Sequence, residues 1–135
     1  MKQNKIFSVA ITLLLIAICT TSWVSPKHNS APRAIAISTA FPSGAFPDLI
    51  GPFSTTGALQ ISGTVTMHVD VIANGARLHC LLVFTAPDGT FTVNMHCLPP
   101  NGRWEIVSGT GAYANLRGTG LTNMMSGEAM TGVIN

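Results

Sequence analysis

Charge is scarce in this chain. Only 9% of its 135 residues are Asp, Glu, Lys or Arg, against roughly 25% in an average globular protein. A charged disordered tail is thereby excluded, since such tails stay open through dense like charge. Lysine is absent after Lys27, and residues 48–135 hold Arg77, Arg103 and Arg117 against Asp48, Asp70, Asp88, Glu105 and Glu128. The basic pI of about 8.6 is therefore carried by Lys2, Lys5, Lys27 and Arg33. An acidic, lysine-free body excludes electrostatic capture of nucleic acid. Cysteine is equally sparse: there are three, with no CxxC pair, which argues against dithiol redox chemistry. After residue 25 no window carries the i, i+3, i+4 apolar stripe of a helix. No nucleophile elbow supports Ser-His-Asp hydrolysis. Gly109 and Gly111 evoke a phosphate loop, but no Lys-Ser/Thr and no helical pattern follow them, so nucleotide binding is rejected.

What is present begins with a targeting pattern. Lys2 and Lys5 precede an apolar run from Ile6 to Cys19, and Thr20, Thr21 and Ser22 follow. That order is a secretory signal peptide over residues 1–25, with cleavage expected near Ser22. The run is shorter than the ~20 residues a spanning helix needs. Ala34-Ile35-Ala36 has suitable small residues for cleavage but lies far downstream. The expected location is outside the cytoplasm, secreted or periplasmic. The alternative is a membrane anchor through an uncleaved N-terminal segment, the chain's sole expected membrane contact. Residues 26–56 contain Pro26, Pro32, Pro42, Pro47 and Pro52. They predict an extended, Pro-rich linker that covers a sheet edge or supplies missing strands.

Residues 57–135 predict the folded domain. Leu59, Ile61, Gly63, Val65, Met67, Val69 and Val71 alternate with polar residues, the period of a half-buried strand. Asn74-Gly75 is a strong hairpin signal. Leu78, Cys80, Leu82 and Phe84 share one parity, as do Phe91, Val93, Met95 and Cys97 after the Pro87-Asp88-Gly89 turn. Trp104 and Ile106 mark another strand, and shorter ones are predicted near 117–123 and 128–134. The fold class is all-β, a small antiparallel barrel or sandwich.

The first turn predicts Val71 opposite Leu78, Val69 opposite Cys80 and Met67 opposite Leu82. Pairing Phe84 with Val93 next sets Leu82 against Met95 and Cys80 against Cys97, with all apolar side chains on one face. In an oxidising compartment that opposition predicts a disulfide between Cys80 and Cys97. Closing a loop of ~17 residues is worth roughly 3 kcal/mol in the chain-entropy account. The alternatives are two buried free thiols, or a redox or metal site. The His-Cys pairs at 79–80 and 96–97 do not make a Cys₂His₂ site, because neighbours on a strand point to opposite faces. His68, Asp70, His79 and His96 fall together on the outer face instead. Three imidazoles and a carboxylate suit zinc or copper, yet a solvated polar face explains them as well. No metal and no cofactor is assigned.

Residues 104–120 read WEIVSGTGAYANLRGTG. Trp104 anchors a strand, Gly109 and Gly111 permit a tight turn, and Tyr113 and Leu116 plug it. Arg117 opens the next strand as an anchor paired with Glu105 or a carbonyl, and Gly118 and Gly120 mark bends. The stretch from Trp104 through Gly109, Gly111, Tyr113, Arg117 and Gly118 to Gly120 resembles the signature of small exported proteins with an allene oxide cyclase-like barrel. Dirigent proteins carry a similar Gly-Thr-Gly, aromatic, Arg-Gly stretch. The resemblance implies a strand, a tight turn with an inserted aromatic, and the next strand of an antiparallel barrel. It supplies no catalytic residue. The functional expectation is a structural or binding module holding a small apolar ligand in the barrel mouth. The alternatives are an isomerase- or cyclase-like enzyme acting on a hydrophobic substrate, and a metal-binding exported protein using the histidines.

Overall fold

The structure is a computed structural model, and it describes residues 31–124 and 129–135. Those residues form nine strands and two single turns of 3₁₀ helix. The strands are β1 (Arg33–Thr39), β2 (Ser43–Ala45), β3 (Asp48–Gly57), β4 (Ser62–Ile72) and β5 (Arg77–Ala86). They continue with β6 (Gly89–Leu98), β7 (Asn101–Gly109), β8 (Gly118–Asn123) and β9 (Ala129–Ile134). From β3 to β9 each strand pairs antiparallel with the next, and β1 pairs with both β9 and β3. The result is a closed eight-stranded barrel, a geometry that leaves no full-length edge exposed. The short β2 continues the line of β1 along the first half of β3.

The segment expected as a linker thus supplies two of the eight barrel strands. The barrel begins at Arg33 rather than residue 57. Proline did not prevent this, because Pro42, Pro47 and Pro52 fall where the ladder tolerates them. Pro42 and Pro47 lie between strands, and Pro52 sits on β3 beside Ala40, whose N–H donates to its carbonyl at 3.2 Å. Ala34-Ile35-Ala36 lies inside β1, with Ile35 buried, so a cut there would remove part of the closing strand. The expected signal segment lies outside the described residues.

The inner face follows from alternation. Val65, Met67 and Val69 of β4, Cys80, Leu82 and Phe84 of β5, and Phe91, Val93, Met95 and Cys97 of β6 are all buried. Ile35, Ile37, Trp104, Ile106, Met130 and Ile134 complete the wall. At about 25 cal/mol per Å² of apolar surface, this burial is the main drive to fold. Leu59 and Ile61 do not extend β4. They fold over one end of the barrel, held where Thr55 Oγ1 donates to Leu59 O at 2.7 Å and accepts from Ile61 N–H at 3.0 Å.

The β4–β5 register is as expected, with Val71 opposite Leu78 and Val69 opposite Cys80. The turn itself differs from a two-residue connection: Ala73, Asn74 and Gly75 all have positive φ, and Ile72 faces Arg77 as the last pair. The β5–β6 register is corrected. Ala86 faces Gly89 across a two-residue turn, so Phe84 opposes Phe91, Cys80 opposes Met95 and Leu78 opposes Cys97. The expected arrangement centred the two-residue turn one position later, on Asp88-Gly89. A slip of two residues preserves the inward face and moves only the partners. Cys80 and Cys97 therefore stand diagonally and carry free thiols. Diagonal neighbours are typically about 7–8 Å apart at Cα, beyond the usual disulfide span.

Candidate functional site

Two features are candidates for function: a polar ladder on the outer wall, and the end of the barrel interior that packing leaves open.

The ladder crosses β3, β4, β5 and β6. His68 Nδ1 donates to Asp48 Oδ1 at 2.6 Å, and its Nε2 lies 3.5 Å from Asp70 Oδ1. Asp70 in turn accepts from His79 Nδ1 at 3.3 Å. His79 Nε2 meets the Asn94 side-chain oxygen, and Asn94 Nδ2 lies 3.5 Å from His96 Nε2. The rings of His79 and His96 stack at 4.8 Å, because β5 and β6 set these two residues directly opposite. The hydrogen bond to Asp48 raises the His68 pKa above its ordinary 6.5; desolvation opposes it, and the charges of Asp48 and Asp70 add to the rise. His68, Asp70, His79 and His96 share one face, as the alternation predicts. Their nitrogens turn to neighbouring carboxylates and an amide rather than to a common point. Among the described residues, no three His, Cys, Asp or Glu side chains are placed to hold a metal. Asp48 and Asn94 were missed. Asn94 shares the parity of His96, a usable signal. Asp48 becomes visible only once β3 is known to be a strand.

The barrel interior is packed differently at its two ends. One end lies under residues 58–61, 87–88 and 110–117. Phe53 packs edge-on against Phe84 at 4.9 Å, Phe84 stacks on Phe91 at 4.7 Å, and Tyr113 closes edge-on over Phe91 at 5.8 Å. Tyr113 is buried at the end of a 3₁₀ turn over Gly111–Tyr113. The turn is tied down by Ala112 N–H to Asp88 O at 2.9 Å and by Thr110 N–H to Thr90 O at 2.8 Å. Gly111, at φ +57°, makes that approach possible: a Cβ there would lie 2.2 Å from Asp88 O. A Cβ at Gly109 would lie 2.0 Å from Tyr113 O, and one at Gly118 2.7 Å from the Ile134 side chain. Arg117 Nη1 donates to Leu116 O at 2.9 Å, and its backbone pairs with Asn135. Arg117 is thus anchored by carbonyls. Trp104 lies across Gly120 and Gly132, where a Cβ at either would come within 2.6 Å of the ring. Its Nε1–H donates to Leu121 O at 3.2 Å.

The opposite end lies under residues 40–42, 73–76 and 99–100. Here a cavity of about 50 Å³ remains, lined among others by Met67, Cys80, Met95, Met124 and Met130. That is room for more than one water, which needs about 10–15 Å³, but far less than the ~300–1,000 Å³ of a drug-sized site. Thr39 and Thr122 supply hydroxyls to the lining, and Thr122 Oγ1 donates to Ala129 O at 3.4 Å. Burial pushes the Cys80 thiol up to about 12, with the neighbouring Cys97 adding to the shift. Burial raises Cys97 too. Both thiols are neutral at physiological pH. The inward parity of Met67, Cys80 and Met95 is legible in the sequence. The arrival of Met130 and Met124 beside them depends on barrel closure.

Comparison of the chain with known protein families, with curated proteins and with solved structures finds no match.

Proposed function

We propose that this protein is an exported β-barrel binding module whose open end takes a small apolar ligand. One observation carries the reading. Among the described residues the only buried polar ones are Thr55 and Thr122, and both hydroxyls donate to backbone carbonyls. An acid–base isomerase or cyclase needs an inward group with a pKa near working pH, and the lining of the open end offers a neutral thiol, thioethers, two threonine hydroxyls and hydrocarbon. Such a wall binds by excluding water. The export part of the reading rests on the order of Lys2, Lys5, the Ile6–Cys19 run and Ser22. We also group the barrel with those of allene oxide cyclase-like and dirigent-like proteins. The support is an eight-stranded closed antiparallel barrel and a Gly109–Gly118 segment that seats an aromatic in the barrel end.

The test is methyl NMR of protein labelled at methionine, titrated with xenon or benzene. The methyls of Met67, Met95 and Met130 should shift, while the rings of Phe91 and Tyr113 stay in place. Unmoved methionine methyls, or shifts concentrated at the aromatic end, would overturn the reading.

A further inference from the structure

The composition of the open end is more specific than its apolarity. Beyond the initiator the chain has five methionines: Met67, Met95, Met124, Met125 and Met130. Four of them line one cavity of about 50 Å³, together with Cys80. Cys97, buried on the next strand, stands diagonally from Cys80. The strands responsible are β4, β5, β6 and β9, and the end of β8 leads into Met124, so the sulfur-bearing residues line the cavity from several sides of the barrel. Among the described residues, no methionine lines the aromatic end. A methionine used only to fill gaps in a core has no reason to gather at one opening.

We propose that this end is a binding site for a soft monovalent metal ion, Cu(I) or Ag(I), held chiefly by the thioethers of Met67, Met95 and Met130. The inference rests on the open end being a binding site and goes beyond the apolar ligand proposed above by adding a soft cation that the sulfur lining would hold. Thioether and thiol donors select soft ions over zinc, magnesium or calcium. Thioethers carry no proton, so they are ready donors where buried thiols stay neutral. A single positive charge also costs less to bring into an apolar wall than a double one. Methionine has three rotatable bonds, which lets sulfurs on separate strands close around one ion. A cavity of a few water volumes is the right scale for an ion and too small for a drug-sized organic molecule. Met124 sits at the rim, partly exposed, where an incoming ion would first meet sulfur.

The test uses the full chain labelled at its methionine methyls. One equivalent of Ag(I), or of Cu(I) delivered from a weak chelator, should shift the methyls of Met67, Met95 and Met130 and saturate at one ion per chain. Zn(II) should leave them in place. The substitutions Met67→Leu and Met130→Leu keep volume and fold. Each should weaken Ag(I) binding by at least the roughly tenfold that losing a supporting partner costs a metal site. Cys80→Ala, alone and combined with Cys97→Ala, should retain the methyl shifts, which separates thioether capture from simple thiol binding at the thiol that lines the cavity. The proposal falls if Ag(I) leaves the methyls unmoved, if Zn(II) binds equally, if removing the thiols abolishes the shifts, or if both leucine variants bind Ag(I) as tightly as the parent. Shifts with xenon or benzene but not with Ag(I) would keep the open-end binding site and remove the soft ion. Shifts with neither would remove both.

Discussion

The two ends of this barrel are made from the same eight strands and close in opposite ways. Rigid aromatic rings fill one end: Phe53, Phe84, Phe91 and Tyr113 meet in stacked and edge-on pairs, with a 3₁₀ turn seated above them. Flexible sulfur side chains line the other, around a residual cavity. Aromatic pairs gain from fixed geometry, roughly 0.5–1.5 kcal/mol beyond burial. Thioethers gain from adaptability. One end is therefore built to hold shape, and the other can change its packing around a guest without disturbing the strands.

Truncation would test this contrast most strongly. Phe91→Ala should cost about 4 kcal/mol, within the range for a fully buried phenylalanine. Met95→Ala should cost only about 2 kcal/mol, since its neighbours can settle into the existing space. Urea unfolding curves would measure both, and equal costs would erase the difference between the ends. Thiol chemistry sharpens the picture at intermediate scale. At pH 8 the native protein should resist alkylation at Cys80 and Cys97, and both should react once unfolded. Because the folded Cys80 pKa is raised from 9.0 to about 12, the stability linked to it is fully present below pH 9 and lost as pH climbs toward 12. Melting temperatures measured across that window should fall. The smallest effect lies outside the barrel. His68 should titrate above 6.5 by NMR, because Asp48 favours its charged form, and Asp48→Asn should lower the midpoint. The sign is that of a raised histidine: whatever His68 contributes to stability is full below 6.5 and lost as pH rises through its folded pKa.

How much of this was readable beforehand depended on which physical quantity set each feature. Parity sets the face. Alternation from Val65 to Val69, and along the next two strands, therefore identified the inner wall correctly even with one register displaced, while Val71, expected on the same face, lies past the barrel end and is exposed. Turn position sets opposition. Whether Cys80 meets Met95 or Cys97 hangs on whether the two-residue turn is Pro87-Asp88 or Asp88-Gly89, and hydrophobic pattern is blind to the resulting shift of two. Closure sets long-range neighbours. The meeting of Met130 with Met67, or of Asp48 with His68, required knowing that a proline-rich stretch pairs as β1 and β3. Proline counts mislead there, because position within the ladder matters more than number. Tyr113 was legible as a turn plug and Trp104 as a strand anchor because bulky rings and missing side chains occur at matching spacings.

The pairing of β1 with β9 has a consequence for the order of events in biogenesis. Arg33 lies opposite Ile134 and Ala34 opposite Val133, so one of the first strands made waits for the last one to emerge. Until then the chain has unsatisfied strands at both ends, and pairing so distant in sequence is slow. Closure is therefore a long-range step in folding: the local hairpins from β4 to β7 can form early, but the barrel becomes a closed body only when β1 and β9 meet.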